Sequence, residues 1–491
     1  MIGPRALFLD NPELRRNLRI ELKAKRMLTA GIITAVFALI VLPSLLPAGR
    51  TGTNASGFGP VSSYLMIVLW SQKITLSLGG AVWCWRAVKR ERELNTYDYQ
   101  RITRLSPLEL AIGKLFGAPA LAYFVTLCLV PPALLSAATT SGLAVEMLLR
   151  SYFLLFIGSL AIHSFALMIS TVSDKGGASS GVLLLLLLQV LPSLGWLFVM
   201  GAKNSAPYAA QGGDVRFYGI VFPEIFLWAS LELGLVAWFL LAVVRNIKVS
   251  LEAIQLFTVR QGVGFAAYCN FVWIGFYPWQ SGPGATSIGP LLLMSVVLFY
   301  VVGIGVLRSR DLVRRGLSDT TAALSESRRF LGPIGSLTVA AVLTEILIVT
   351  LALQYSHAQP RAFAARDFFL VLYFATWVAR DLFYLQWMKI RPVRSSLSKA
   401  FLYLGVFYIS TSIVFRSSLT STNADAAFAA WLVPFPLLRA WTEAQWDAAS
   451  GMWLLALVAQ LAAAAGFAYL YRQQAAGLAR RPQTARLARV G

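Results

Sequence analysis

Apolar stretches of about 20 residues recur along the whole chain and alternate with short polar connections. A helix of about 20 apolar residues crosses the hydrocarbon core of a bilayer. The pattern predicts an all-α, polytopic membrane bundle of about 12 transmembrane helices, arranged as six plus six. The stretches lie near 27–47, 62–85, 115–137, 151–170, 181–200, 222–244, 262–279, 288–307, 334–353, 368–388, 401–419 and 452–471.

The polar segments divide the chain into four predicted regions. Residues 1–26 form a cytoplasmic amphipathic helix, and 27–248 and 249–471 form the two six-span halves. Residues 472–491 form a basic cytoplasmic tail, which we expect to be disordered. Sequence similarity between the halves is weak, so the tandem arrangement is predicted from the hydropathy pattern alone.

The N-terminal segment carries a helix-start signal. Asn11 is a suitable N-cap residue, and Pro12 fits the first helical position. Leu14, Leu18 and Leu22 follow at four-residue spacing and share one face, whereas lysine and arginine fill much of the remainder. Such a basic amphipathic helix is expected to lie on the inner membrane surface. A solvated basic leader is the alternative.

A second helix-start signal lies in the polar stretch between the second and third apolar stretches. Ser106 can act as N-cap with Pro107 at the first helical position and Glu109 at N3, which completes a capping box. The predicted helix, Leu108–Lys114, is short and displays apolar residues in a polar loop, which indicates a partner surface. Gly113 is expected to mark a break or a close contact.

This polar stretch resembles the signature of the permease subunits of type-two ABC exporters. Those subunits carry a Glu-x-Gly-Thr element, then Thr-Pro-Leu-Ser-Pro-x-Glu-Ile and a Gly-Lys pair. The chain departs from the signature at Asn95, where glycine is usual, and at Arg104, where proline is usual. Asn95 tolerates a left-handed backbone, so Arg104 changes the expected turn more. The matching residues are Glu93, Thr96, Asp98, Thr103, Leu105, Ser106, Pro107, Glu109, Gly113 and Lys114.

The resemblance implies an N-terminal elbow helix and a coupling helix that docks on a separate ATP-hydrolysing subunit. ATP and Mg²⁺ are expected in that partner, because this chain has no GxxxxGK[ST] loop and no cofactor of its own is expected. The lipid bilayer and a second permease copy are the other expected partners. The residues expected to couple to the ATPase are Glu93, Thr96, Leu105, Ser106, Pro107, Leu108, Glu109, Ile112, Gly113 and Lys114.

Composition and charge agree with a membrane protein rather than with a nucleic-acid binder. Hydrophobic residues make up 57% of the chain and charged residues 13%, with a net charge of +21. Most of the 43 lysines and arginines fall in segments that share one side of the membrane if both termini are cytoplasmic. This bias fits the positive-inside rule. We therefore expect insertion into the plasma membrane, in the manner of a bacterial inner-membrane protein.

The sequence offers no enzyme motif. It lacks HExxH, a nucleophile elbow and a dinucleotide fingerprint. Three cysteines, Cys84, Cys128 and Cys269, have neither metal-binding nor disulfide-framework spacing, and His163 and His357 are the only histidines. We therefore expect no catalytic activity and no metal site in this chain.

Three charged residues lie within predicted spans and are candidates for an intramembrane polar path: Lys73, Glu232 and Glu345. A charge at the centre of a membrane helix costs about 2.5–3.5 kcal/mol on insertion scales, so each should face protein or water. The structural alternative is an inter-helix ion pair, or snorkelling for Lys73. Arg380 and Asp381, near the end of a predicted span, are expected to form a local interfacial pair.

Three other functions remain open at this point. An ATP-independent secondary transporter or channel would use the charged residues within the spans. A non-transporting membrane scaffold would share the permease layout without transport. A membrane-embedded enzyme comes last, because no loop gathers acid, base or metal-binding residues.

Overall fold

The computed structural model describes residues 10–42, 63–94, 105–140, 142–172, 214–248, 257–276, 289–308, 310, 313, 332–354, 365–391, 396–419 and 443–487. This part of the chain is almost entirely helical, as the sequence predicts. The chain divides into two compact units. Unit 1 comprises Met1–Arg216 and Ile220–Ser250, and unit 2 comprises Phe217–Gly219 and Leu251–Gly491.

Unit 1 contains nine described helices and a π-helical segment, Ile74–Gly79, which joins two of them without interruption. The helices are α1 (Pro12–Glu21), α2 (Ala24–Val41), α3 (Ser63–Lys73), α4 (Gly80–Glu93), α5 (Pro107–Gly117), α6 (Ala120–Cys128), α7 (Val130–Thr140), α8 (Gly142–Val172) and α9 (Glu224–Lys248).

Four helical stretches of the described chain are long and apolar enough to cross a membrane, and all four lie in unit 1. They are Ala24–Val41, Pro107–Ala138, Leu148–Val172 and Glu224–Lys248. Shorter apolar helices occur in unit 2, at Ser295–Val306, Ile334–Thr350 and Lys399–Ser410. The all-α class is thus confirmed, and four helices have the length and composition of membrane spans. The stretch predicted at 181–200 lies outside the described residues.

The third predicted span begins earlier than expected, because α5 already runs from Pro107 to Gly117 and leads into the apolar stretch. The stretch is interrupted at Pro119 and again at Leu129. Pro131 and Pro132 lie in the first turn of α7, where a proline without N–H breaks no intrahelical hydrogen bond. The helix predicted at Leu108–Lys114 is present as part of α5 and extends to Gly117.

Helix α8 lies at the centre of unit 1 and packs against α4 and α9. The Phe165 and Phe239 ring centroids are 5.1 Å apart across the contact of α8 with α9. A second apolar cluster joins α3 to α7 and the start of α8, with Val68, Ala133 and Leu148 among its buried members. These contacts give the membrane-spanning part of unit 1 a packed interior.

A β-hairpin interrupts the otherwise helical chain directly before α9. Strands β1 (Asp214–Phe217) and β2 (Ile220–Pro223) form a two-stranded sheet. Tyr218 and Gly219 have φ values of 51° and 76° in the connecting turn. Positive φ at both central residues is typical of a type I′ turn, whose twist suits a two-residue hairpin.

Unit 2 is built around α13 (Ala365–Lys389). This helix packs against α12 (Gly332–Gln354), α14 (Ser396–Leu419) and α15 (Glu443–Leu487). The expected disorder of the tail is wrong, because α15 continues without a break to Leu487. Leu478 packs there with Val313 and Ile390. The described helices of unit 2 are α10 (Val259–Phe276), α11 (Gly289–Val306), α12 (Gly332–Gln354), α13 (Ala365–Lys389), α14 (Ser396–Leu419) and α15 (Glu443–Leu487).

Candidate functional site

The two predicted N-caps lie side by side in unit 1. The Asn11 Oδ1 atom accepts hydrogen bonds from the backbone N–H groups of Glu13 at 3.0 Å and Leu14 at 3.1 Å. The Asn11 Nδ2 atom also donates to the Glu109 carbonyl oxygen at 2.8 Å. The predicted capping box is present, with Glu109 N–H donating to Ser106 Oγ at 3.2 Å and Ser106 N–H donating to Glu109 Oε2 at 2.7 Å. The starts of α1 and α5 are thus joined.

Two glycines let α1 lie directly against α5. A Cβ atom at Gly113 would lie 2.8 Å from Glu13 Cβ, and one at Gly117 would lie 2.6 Å from Asn17 Cβ. Both distances are too short for any larger residue without movement. The Asn17 Nδ2 atom also donates to the Gly113 carbonyl oxygen at 3.4 Å. The Gly-x-x-x-Gly spacing puts both glycines on one face, a common device for close helix contacts.

Four charged side chains connect α1 and α5 to the end of α4, and we call them the charge cluster: Glu13, Arg16, Glu91 and Lys114. Lys114 Nζ lies 2.9 Å from Glu13 and 2.6 Å from Glu91. Arg16 lies 2.9 Å from Glu13 and 2.6 Å from Glu91. The Lys114 side chain is only 2% exposed and that of Glu13 4%. Two acids and two bases make the cluster electrically neutral.

The electrostatic balance of the cluster is visible at Glu13. Burial alone would raise the pKa of this carboxyl group, because desolvation disfavours the charged form. The charge and hydrogen bond of Lys114, with contributions from Arg16 and Asn17, outweigh that effect and hold the Glu13 pKa below its ordinary value. Glu13 is therefore ionised at neutral pH, and the ion pair with Lys114 is intact.

The structure changes which predicted coupling residues a partner could reach. Leu108 is exposed, but Ile112 is buried against the rest of unit 1. The expectation that the apolar residues of this helix are all displayed is wrong, because Leu110 is buried as well. Gly113 is a close contact rather than a break. Of the other predicted coupling residues, Glu93 is exposed, Leu105, Ser106, Pro107 and Glu109 are half-buried, and Lys114 is buried. Thr96 lies outside the described residues.

Of the charged residues predicted within spans, Lys73 and Glu345 are buried and Glu232 is half-buried, each in its own unit. Lys73 Nζ lies 5.0 Å from the centroid of the Trp70 ring, directly before the π-helical segment. A Cβ atom at Gly158 would lie 3.1 Å from Glu232 Oε1, so α8 and α9 approach closely there. Glu232 Oε2 and both carboxylate oxygens of Glu345 accept no hydrogen bond in the part of the chain that the structure describes. The predicted polar path and the ion pair of Lys73 stay predictions.

His163 makes a polar contact that the sequence did not indicate. Its Nε2 atom lies 2.8 Å from the carbonyl oxygen of Leu76, within the π-helical segment, and its Nδ1 atom lies 3.2 Å from the Tyr123 hydroxyl. A π-helix leaves backbone groups poorly aligned, so an outside donor to Leu76 stabilises the wide turn. The two histidine contacts join α8 to α6 and to the helix of span 2. The sequence around His163 contains no pattern that indicates either contact.

The local pair of Arg380 and Asp381 expected from the sequence is present on α13, and both side chains are buried within unit 2. Arg380 donates to Asp381 at 2.7 and 2.8 Å and to Gln460 of α15 at 2.6 Å. Asp381 also accepts from the hydroxyls of Tyr300 at 2.5 Å and Tyr408. Four helices of unit 2 therefore meet at one polar network. Buried charges of this kind within apolar helices usually mark functional sites.

Comparison with known proteins gives no relative: no family model, no curated protein and no solved structure matches the chain. A function for this chain can therefore be inferred only from its helix contacts and from the residues that resemble the permease signature.

The contact between α1 and α5 can be tested by filling it. Replacing Gly117 by valine should destabilise unit 1 by about 1–3 kcal/mol, because the added carbons overlap Asn17. The matched control is Gly31→Val in α2, where an added Cβ meets no atom within 4 Å. Thermal unfolding of the purified protein in detergent measures both. Equal melting temperatures for the two variants would contradict the close packing of α1 on α5.

Proposed function

We propose that this chain is a membrane permease subunit of an export system, driven by a separate ATP-hydrolysing subunit. The observation that carries the proposal is the charge cluster beneath the start of α5. The cluster lies beside the signature residues Ser106, Pro107 and Glu109, and α5 leads directly into an apolar membrane-length stretch. A partner that pushes on the start of α5 would therefore move the stretch inside the membrane.

The charge cluster suits such a transfer of movement because it is rigid. Lys114 is held by two carboxylates from two other helices, and the capping residues add neutral hydrogen bonds between α1 and α5. Buried, hydrogen-bonded ion pairs hold one geometry because leaving either charge unpaired is costly. Movement of α5 would therefore take α1 and α4 with it. In this proposal α1 is the elbow helix and α5 begins with the coupling segment.

The proposal includes a finer topology. About 12 spans in a six-plus-six order, cytoplasmic termini and insertion into a bacterial-type inner membrane are supported by the hydropathy pattern and by the bias of the 43 lysines and arginines. In that arrangement the charge cluster lies at the cytoplasmic end of unit 1, where an ATPase can reach it.

The experiment replaces the exposed apolar residues on either side of the signature loop. Leu94 and Leu108 are 63% and 36% exposed, and burying each against a partner would contribute about 1.5–3 kcal/mol. The double variant Leu94→Ser/Leu108→Ser should lose a co-purifying ATPase that wild-type protein retains. The readout is ATP hydrolysis in the affinity eluate, with the bound subunit identified by mass spectrometry at equal membrane levels of the bait.

The control is Ile20→Ser, which removes a similarly exposed apolar residue from α1, outside the signature. This variant should keep the ATPase. If wild-type protein recovers no ATPase, or if the double variant keeps it fully, the coupling proposal is wrong.

A second candidate, an ATP-independent transporter or channel, is favoured by the buried carboxyl groups. Glu345 is fully buried, and neither of its oxygens has a hydrogen-bond partner within the described residues. Such a carboxyl group can take up a proton or a cation from a transport path. Transport by protein reconstituted into vesicles without any ATPase would support this candidate over the first.

A further inference from the structure

Helix α12 carries a single ionisable side chain, Glu345, in an otherwise uncharged sequence. The residue lies near the middle of the helix, and the stretch around it, Ile334–Thr350, is apolar. Helix ends stabilise charges only within their first and last turns, so neither end of α12 reaches Glu345. Any stabilisation of a charge at this position must therefore come from other helices.

Glu345 belongs to the buried face of α12. The helix packs against α10, α11 and α13, and the Glu345 side chain is 0% exposed. Residues on the opposite side, such as Leu343 and Leu347, are more than half exposed. Spacings of three and four residues place one stripe on the buried side: Leu337, Ala341, Glu345 and Ile348.

The packed surroundings offer Glu345 no hydrogen bond. Neither of its carboxylate oxygens has a partner among the residues that the structure describes. The three threonine hydroxyls of α12 donate to carbonyl oxygens of their own helix. The tyrosines and the cysteine described on the helices packed against α12 do not donate to Glu345 either: Tyr268, Cys269, Tyr300, Tyr373 and Tyr384.

No charged side chain described on those helices pairs with Glu345. Arg260 of α10 is exposed, and α11 carries no charged residue. On α13, Arg380 and Asp381 pair with each other, and Lys389 donates to a backbone carbonyl oxygen. A negative charge on Glu345 would thus lack a counter-charge in the described part of unit 2.

These surroundings favour the uncharged form of the carboxyl group. Moving an ionised carboxylate from water into an apolar interior without a partner costs far more than moving the neutral acid, so such groups take up a proton. The packed unit therefore holds Glu345 with its proton bound.

A metal cation suits this position less well than a proton does. Ca²⁺ takes about six to eight oxygen ligands, whereas one carboxylate supplies two. No group of three or more acids, histidines or cysteines that could hold a metal occurs in the described chain. A proton adds no volume, so it needs no cavity between the packed helices.

We propose that Glu345 is a proton-binding site of unit 2, occupied while the buried face of α12 is packed and emptied when water reaches that face. A proton from water adds to one carboxylate oxygen, and no other reactant is needed. Because the ionised form requires water or a counter-charge, loss of the proton and opening of the α12 contacts favour each other. The proposal deepens the second candidate function by naming the proton as its ion, and it rests on that function only for a role in transport.

Infrared spectroscopy reads the protonation state, because the C=O stretch of a neutral carboxylic acid lies apart from the bands of ionised carboxylates and amides. Full-length protein is placed in nanodiscs of ether-linked lipids, which contain no ester carbonyl to mask that band. The difference spectrum between wild type and Glu345→Gln at neutral pH isolates the contribution of Glu345. Glu345→Leu serves for the same comparison if the glutamine variant does not fold.

Two further variants complete the assignment of the acid band. Glu93→Gln changes an exposed glutamate and is the matched control. Glu232→Gln identifies any second acid band that comes from the half-buried glutamate of unit 1.

The Glu345 acid band should be lost in Glu345→Gln and kept in Glu93→Gln. In D₂O the wild-type band should shift to lower frequency, because deuterium replaces the proton each time the α12 contacts open. If wild type and Glu345→Gln have the same spectrum in this region, Glu345 is ionised and the proposal is overturned.

Two other results would also overturn the proposal. A band that never shifts in D₂O while the protein stays folded would identify a trapped structural acid. A band that Na⁺ removes, but choline at equal ionic strength does not, would identify a cation site. Transport by reconstituted vesicles is measured separately, so failure of the second candidate function leaves the infrared result in place.

Discussion

Replacing Lys114 by methionine is expected to destabilise unit 1 by about 3–5 kcal/mol. Methionine keeps the length and apolar stem of the side chain, but Glu13 and Glu91 lose the ammonium group that lies 2.9 and 2.6 Å from them. Both carboxylates would then be partly buried with only Arg16 as a counter-charge. The free energy of unfolding, measured by denaturant titration of the protein in mixed micelles, tests this value.

The control removes an exposed ion pair at the start of α1. Arg15→Gln breaks the contact with Asp10, whose side chain and that of Arg15 are more than half exposed, and should cost about 0–1 kcal/mol. The double variant Glu13→Gln/Lys114→Met should be less destabilised than the sum of its single variants. Each single variant leaves the other residue as a charge without its partner, and the double variant does not. If Lys114→Met costs no more than Arg15→Gln, the charge cluster does not hold the three helices together.

Replacing Asp381 by leucine should destabilise unit 2 by about 3–5 kcal/mol, because it leaves the buried Arg380 guanidinium without its counter-ion. Tyr300 and Tyr408 lose their acceptor at the same time. The same unfolding titration measures the effect.

A charge-free network should recover much of that stability. The double variant Arg380→Met/Asp381→Leu removes both charges together, and buried ion pairs replaced by apolar groups of similar volume are often neutral. The free energy of unfolding of the double variant should be close to that of wild type, and that of Asp381→Leu should be well below both. A double variant as unstable as the single one would show that tyrosine and glutamine contacts, rather than charge pairing, dominate the network.

Local signals in the sequence were enough to place the helix starts. Ser106 and Glu109 are three residues apart, so the capping box depends only on neighbouring residues. The same holds for Asn11 and the first turn of α1. What the sequence could not indicate is that these two starts touch. Asn11 and Glu109 are separated by 98 residues, and no periodicity links the register of one helix to that of another.

The buried clusters were missed for the same reason. Arg380 and Asp381 are adjacent in sequence, which made a local pair the simplest interpretation. Their other partners lie on helices 27 to 81 residues away, so only the packed structure shows that they are buried. At Gly113 the sequence leaves a break or a close contact open; the structure shows a close contact, and α1 is the helix that approaches it.

The long separation between Lys114 and Glu13 has a consequence for biosynthesis. Glu13 leaves the ribosome 101 residues before Lys114, and Glu91 leaves it 23 residues before. Until Lys114 emerges, α1 lacks the buried cation that pairs with Glu13 in the folded unit. A nascent chain without α1 would deliver Lys114 to the bilayer with a single carboxylate to neutralise it. Helix α1 is thus synthesised about a hundred residues before the lysine that fixes it against α5.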